Sequence, residues 1–494
     1  MRVNLAHFLL IVGFACASSA EAATYYVRNG GSDSADGRSH GTAWASLGKV
    51  NGYSFAAGDR VLFYEGHKWA GVLSIDWAGT ASERAVVGAY YLDGSTPVRG
   101  YRTSRPIIDG ESRLPSGPWD SLVVVRADRV RVENLVLRNS LGRGISVAAN
   151  EAEVIGCSVS NVYTSGVHFI KSQGSRAENN FVTGAGIGNQ VTGIAWAASI
   201  DIASSTSTVV RNNTVSEVWG EGINAHSGSR YTLIENNRVF GVQAVGIYAD
   251  AAPDTTIRRN IVFGTANSAW WRTSSSVGAG IALNNENYHY PVGGGSMDPS
   301  VQTQRTKIYG NLVAYTSAGI TLWSNLAEST YDGVLIYNNT FVDNNVQVSM
   351  NTKPKPGAKF LNNILLSISS GTRDVEGTNL NGMLAKSNYF SQGNPGGDYV
   401  HVGNRFTGLR IAKMSGWRAV TNRDQINWRD FVVASGSSVL GAGDDEPSRT
   451  ATSAHDYQLD HNAAEHGRPM DMGGLTFATP VSRRPMPPTA LSGT

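Results

Sequence analysis

The sequence predicts an all-β solenoid, a parallel β-helix of short stacked coils. Three observations lead there: a polar residue followed two places later by an apolar one, recurring at a fixed period; a second Gly-Ile or Gly-Val element in the same period; and turns rich in Gly, Ser and Asn between them.

The first element sits at Asn134, Cys157, Asn180, Asn213, Asn237, Asn260, Asn311, Asn339, Asn363 and Asn388, with an apolar residue two places after each. Its basic step is 23 to 25 residues (134 to 157, 213 to 237, 363 to 388), and longer steps such as 260 to 311 read as one coil plus loop insertions. The second element is Gly144-Ile145, Gly166-Val167, Gly193-Ile194, Gly222-Ile223, Gly246-Ile247, Gly280-Ile281 and Gly319-Ile320. Each coil thus carries at least two short strands. Leucine-rich horseshoes share the period but need several Leu per repeat; these strands are rich in Val and Ile, as stacked β ladders prefer. Coils pairing at about 4.8 Å let inward Asn amides bond up and down the stack, where an unpaired amide is costly.

Composition bounds the function. Arg2, the apolar run Leu5 to Ala17 and Ala20-Glu21-Ala22 read as a cleaved secretory signal, with the mature chain starting near Ala23 or Thr24. The expected destination is secreted or periplasmic. Removing the signal removes Cys16 and leaves Cys157 alone, so no intramolecular disulfide forms and the fold relies on a repeating core. A net charge of +2 spread over 494 residues argues against nucleic acid, and no later apolar run is long enough to span a membrane. A monomer is expected.

The Asn ladder resembles that of the right-handed parallel β-helix (pectate lyase-like) superfamily of secreted polysaccharide-active proteins, over roughly residues 107 to 390. Tyr25-Tyr26-Val27, Trp44-Ala45-Ser46-Leu47, Ala57-Gly58-Asp59 and Ile107-Ile108-Asp109-Gly110 look like the N-terminal regions of such proteins. The resemblance implies a right-handed stack and a polysaccharide partner. The division read from the chain is 1–23 signal, 24–106 N-terminal cap and first coils, 107–390 β-helix, 391–482 C-terminal cap and 483–494 flexible tail. A short amphipathic helix over Thr42 to Val50 is expected to close the open end of the core.

Strand alternation then nominates a site. With the Ile or Val after each Gly pointing inward, residues two and four places after the Gly face solvent. Stacking gives one column of Asn224, Tyr248, Ala282 and Thr321 and another of His226, Asp250, Asn284 and Trp323, with His168 one coil earlier and Glu286 just past Asn284. Insertions carrying Trp270, Trp271 and Arg272, and Tyr288, His289 and Tyr290, flank this patch and suit the apolar faces of sugar rings. Asp250 and Glu286 fall on adjacent coils at roughly 5 to 9 Å, the range of paired glycosidase carboxylates. The catalytic set is therefore Asp250, Glu286, His226 and Tyr248. The binding set is His168, Asn224, Asn284, Trp270, Trp271, Arg272, Tyr288 and Trp323. On a straight strand Glu221 lies too far from His226 to join them.

The leading function is cleavage of glycosidic bonds by acid–base hydrolysis. One alternative is β-elimination or C5 epimerisation on uronic acid units, using Tyr248, His226, His168, Arg272 and Lys171. The coil Gly222 to Ser227 looks partly similar to the catalytic coil of periplasmic alginate C5-epimerases, where Asp-Pro-His-Asp follows Gly-Ile; only the His position matches, with Asn224 and Ser227 replacing both acids. The other alternative is polysaccharide binding without cleavage, as in an adhesin. No cofactor or metal is expected; calcium would need an acidic cluster that the sequence lacks.

Overall fold

The computed structural model describes residues 22–193, 196–286, 301–324, 331–351, 357–376, 380, 383–394, 400–405 and most of 407–439. The signal segment, Ile194, the Tyr288–Tyr290 insertion and the flexible tail lie outside the described residues.

Among the described residues, three long sheets wind around one core, with 15, 12 and 11 strands. Apart from one antiparallel edge pair at Ala85–Asp93 and Thr96–Arg99, the named strands pair in parallel, each with its counterpart one coil on. This is the expected parallel β-helix. The Gly-Ile register forms one internal column of the 11-stranded sheet. It runs Leu73, Val123, Ile145, Val167, Ile200, Ile223, Ile247, Ile281, Ile320 and Val348, all buried.

The Asn ladder is continuous. The Nδ2 groups of Asn180, Asn213, Asn237, Asn260, Asn311, Asn339 and Asn363 each donate to the next Asn Oδ1 at 2.9–3.1 Å. Each Oδ1 also accepts the backbone N–H of the Asn before it, so the buried amides are paired within the stack. The ladder passes the expected end of the coils: Asn388 donates to Asn404 at 3.1 Å, and strand Val400–Val402 adds another rung. At the other end the expected register is off by one residue. Leu137 pairs with Val159, which puts Leu135 rather than Asn134 in line with Cys157. Asn134 instead adopts φ 56°, as do Asn179, Asn212 and Asn236 near the same value just before their ladder residues. Asn tolerates this left-handed bend better than most residues, so Asn fills two neighbouring positions for different reasons.

The N-terminal helix is shorter than expected. It spans Leu47–Asn51, begins where the Ser46 side chain caps the Lys49 N–H, and turns Leu47 and Val50 onto the end of the core beside buried Trp44.

Candidate functional site

The site lies on the 11-stranded sheet. One outer column runs Ser74, Val124, Ser146, His168, Asp201, Asn224, Tyr248, Ala282, Thr321 and Ser349. The next runs Ala203, His226, Asp250 and Asn284. The expected columns are therefore correct through Thr321 and Asn284, with one coil missing from them. Gly193 does not open a strand. Gly193 is the left-handed cap of a short helix, Ile187–Thr192, and the strand of that coil is Ala198–Ala203, with Ile200 in register. His168 is thus two coils before Asn224, and Asp201, absent from the expected set, lies between them.

Asp201 organises this part of the sheet. One carboxylate oxygen meets His226 Nε2 at 2.7 Å, and the other faces His168 Nε2 at 3.9 Å and accepts from Ser165 Oγ at 3.2 Å. The second nitrogen of His226 meets Ser227 Oγ at 2.8 Å. Burial opposes the charge of Asp201, but the His226 charge and hydrogen bond outweigh it, with help from His168 and Arg143, and hold the carboxyl at about 2. Burial likewise opposes the charge on His226, and the attraction of Asp201 outweighs it and raises its pKa. His168 has the same neighbour at a longer distance. There burial wins and lowers it to about 4, so His168 is neutral at ordinary pH.

Glu221 joins the cluster, against expectation. Its Oε2 accepts from Asn224 Nδ2 at 2.8 Å and its Oε1 from Trp196 Nε1 at 2.9 Å. The strand is not straight at Gly222. A Cβ there would lie 2.8 Å from core Val239 and 2.3 Å from the Gly246 carbonyl, so Gly222 and Ile223 both turn inward. Two successive inward positions reset the alternation and bring Glu221 out on the side of Asn224. Burial raises the Glu221 pKa against the pull of Trp196, His226 and Asn224.

A second group lies on the following coils. Tyr248 Oη donates to Glu286 Oε1 at 3.2 Å and accepts from Asn284 Nδ2 at 2.9 Å. Burial, then repulsion from Asp250, pushes Glu286 up to about 7; burial also raises the Tyr248 phenol far above its ordinary value. The outer face is not the solvent-facing patch expected. Asp250 and Asn284 are 0% exposed, Glu286 8%, and His168, Asn224 and Tyr248 are buried too. Side chains from neighbouring coils cover part of the face: Trp323 packs on Tyr248 and Ala282. Asp250 Oδ1 accepts the Glu286 backbone N–H at 2.9 Å, so that carboxylate shapes the turn carrying Glu286.

The aromatic insertion closes over the Glu221 end. Trp270 lies 4.2 Å from Trp219 between ring centroids, Arg272 sits 5.1 Å over Trp196, and Trp271 Nε1 is used by the carbonyl of Thr265 within its own loop. Trp196, missed in the sequence, is 40% exposed and bridges this insertion to Glu221.

Residues 124–394, more than half of the chain, match the family described as periplasmic copper-binding protein (NosD). The chain belongs to the NosD family. No curated protein matches it by sequence. Among solved structures this NosD-family chain is similar to pectate lyase Pel9A, at 16% identity and TM-score 0.53, over 92% of this chain and 96% of that one. A rhamnogalacturonan lyase is similar at 14% identity and TM-score 0.51, over 74% of this chain and 87% of that one. At these identities the likeness is one of fold.

The family description raises copper, and the described residues do not fit it. Among the described residues, no three His, Cys, Asp or Glu side chains are grouped to hold a metal ion. Copper sites use thiolate, thioether and imidazole donors. Here Cys157 is buried in the core, where burial raises its thiol to about 11, and both histidines of the site turn a ring nitrogen to Asp201. Among the described residues no helix is long and apolar enough to cross a membrane.

Proposed function

We propose that this NosD-family protein is an exported, glycan-active enzyme working by general acid–base chemistry on its 11-stranded sheet. The carrying observation is the division of charge between Asp201 and Glu221 on adjacent coils. Asp201 is bonded to His226 and held ionised, while Glu221 is buried and pushed toward its neutral form. Glu221 pairs three residues away from Asp201 along the strand, but Asn224 stands directly opposite Asp201 and holds the Glu221 carboxyl at 2.8 Å, which brings the two carboxyls to roughly 5 to 9 Å, the range in which paired glycosidase carboxyls operate.

In this reading Glu221 donates its proton to the leaving glycosidic oxygen as the C–O bond breaks. The Asp201 carboxylate, oriented by His226, either activates the attacking water or attacks the anomeric carbon itself. Two carboxyls with opposed environments divide the acid and base roles, as the chemistry requires. Tyr248, Glu286 and Asn284 supply hydrogen bonds on the following coils, and Trp196 with the Trp270–Arg272 insertion supplies aromatic walls. The solved structures of like fold, named as lyases acting on pectate and rhamnogalacturonan, agree with a saccharide substrate.

A second reading, β-elimination, is favoured by Tyr248, whose neutral phenol is placed to give a proton. Product analysis on a panel of polysaccharides separates the cases. New reducing ends without ultraviolet absorbance mean hydrolysis, absorbance of an unsaturated uronide means elimination, and retention without product means binding alone. Loss of cleavage in both Asp201→Asn and Glu221→Gln, with retention on the polymer kept, is the result expected. Full turnover in either variant overturns the assignment.

A further inference from the structure

The same outer column continues away from Asp201, through His168 to Ser146, Val124 and Ser74. These last three line a separate cleft of about 430 Å³, with Trp119, Asp120, Ser121 and Arg126. It begins two coils from Asp201, roughly 10 Å along the stack. No residue of the proposed reaction centre lines it.

Two features give this cleft a ligand chemistry. Trp119 is 51% exposed, an indole left open on a surface whose other large aromatics are mostly packed. Arg143, one coil on from Ser121, places its guanidinium 5.2 Å from the Trp119 ring centre and donates to the Trp119 carbonyl. Its Nε is buried without an acceptor, and it forms no ion pair among the described residues. Burial lowers its pKa against the attraction of Asp201 and Asp120, so part of the guanidinium's own desolvation is already met before an anion arrives. By contrast Arg126 is already matched by Asp76 at 3.2 Å and by Ser74 Oγ at 3.3 Å. Asp120 is the acid that an incoming anion must avoid. Its side chain shares no hydrogen bond with Arg143, whose backbone N–H binds the Asp120 carbonyl at 2.7 Å.

We propose that this cleft is a binding subsite for a carboxylated sugar unit, stacked on Trp119 with its carboxylate on Arg143. A carboxylate suits the guanidinium edge left over from the Trp119 carbonyl bond, and a sugar's C–H face suits the indole. The subsite rests on the glycan reading above and adds a direction to it. One glycan chain runs along the coil axis, its acidic unit at Trp119 while the unit to be cleaved lies at Asp201. A chain of about three or more sugars spans that distance, so shorter oligomers leave one position empty.

The test is calorimetric titration with three hexauronides (galacturonate, mannuronate and guluronate), each compared with the same hexamer after reduction of its carboxyls to alcohols. Wild type is expected to bind at least one hexauronide about tenfold or more tighter than its reduced form, the scale of one charge-assisted contact. Arg143→Gln should remove that preference, and Trp119→Ala should weaken both forms. The titration reads binding and not product, so a carboxylate preference that Arg143→Gln removes stands even if product analysis finds no cleavage and the cleavage reading falls. No hexauronide binding, or a preference unchanged in Arg143→Gln, overturns the proposal. If Trp119→Ala misfolds, the milder Trp119→Phe, checked by circular dichroism, carries the same comparison.

Discussion

Asp201 Oδ1 and His226 Nε2 lie 2.7 Å apart on adjacent coils, and each holds the other in its charged form against burial. The signs give a stability window. Asp201, lowered to about 2, contributes above its ordinary range and loses that contribution as pH falls toward about 2. His226, raised, contributes below its ordinary value near 6.5 and loses that contribution as pH rises through its folded pKa. Both contributions are full between those limits, in mildly acidic solution.

Asp201→Asn removes the partner and leaves burial to act on His226. Its titration midpoint, followed by imidazole NMR, should drop from above 6.5 to below it. Turnover on the cleaved polymer should fall by about 10²-fold or more, the usual worth of general acid–base catalysis. A midpoint that does not move would contradict the pairing.

Glu286 carries a pH signature of its own. Its carboxyl is raised from 4.5 to about 7, chiefly by burial. A raised acid favours the fold when protonated, so that contribution is full below 4.5 and is lost as pH rises through about 7. Glu286→Gln removes the loss. The melting temperature of the variant relative to wild type should therefore be higher at pH 8 than at pH 4. Parallel melting curves at the two pH values would refute it.

Asp250→Ala should destabilise the protein, because Asp250 is fully buried and its Oδ1 takes the Glu286 N–H. Leaving that donor without an acceptor costs about 1 to 3 kcal/mol. Chemical denaturation should show the loss. A variant as stable as wild type would mean that the carboxylate is not needed to form the turn.

Asn237→Leu tests the ladder. Asn237 donates to Asn260 Oδ1 and the Val210 carbonyl, and accepts from Asn213. An apolar replacement strands these groups at about 1 to 3 kcal/mol each. The unfolding midpoint should fall sharply, and more than in Asn134→Leu, since Asn134 lies outside the ladder.

The sequence by itself determined the stack. A constant period places the same residue type at the same point of each coil, and inward Asn and Ile must recur because each coil meets the same environment as its neighbours. That is why the columns through Asn224 and Asp250 were legible. Tertiary structure decided the rest. At Gly193 a Gly followed by Ile mimics the repeat, yet the short helix Ile187–Thr192 uses that glycine as its cap, and the strand with Asp201 begins later. Glu221 reaches Asn224 only because Gly222 resets the alternation against core Val239. The face carrying Tyr248 and Asp250 is buried by parts of the chain distant in sequence, such as Trp323. A local pattern records which side of a strand a residue takes; it holds no term for what another coil lays over that side, and the charge states of Asp201, Glu221 and Glu286 follow from that covering.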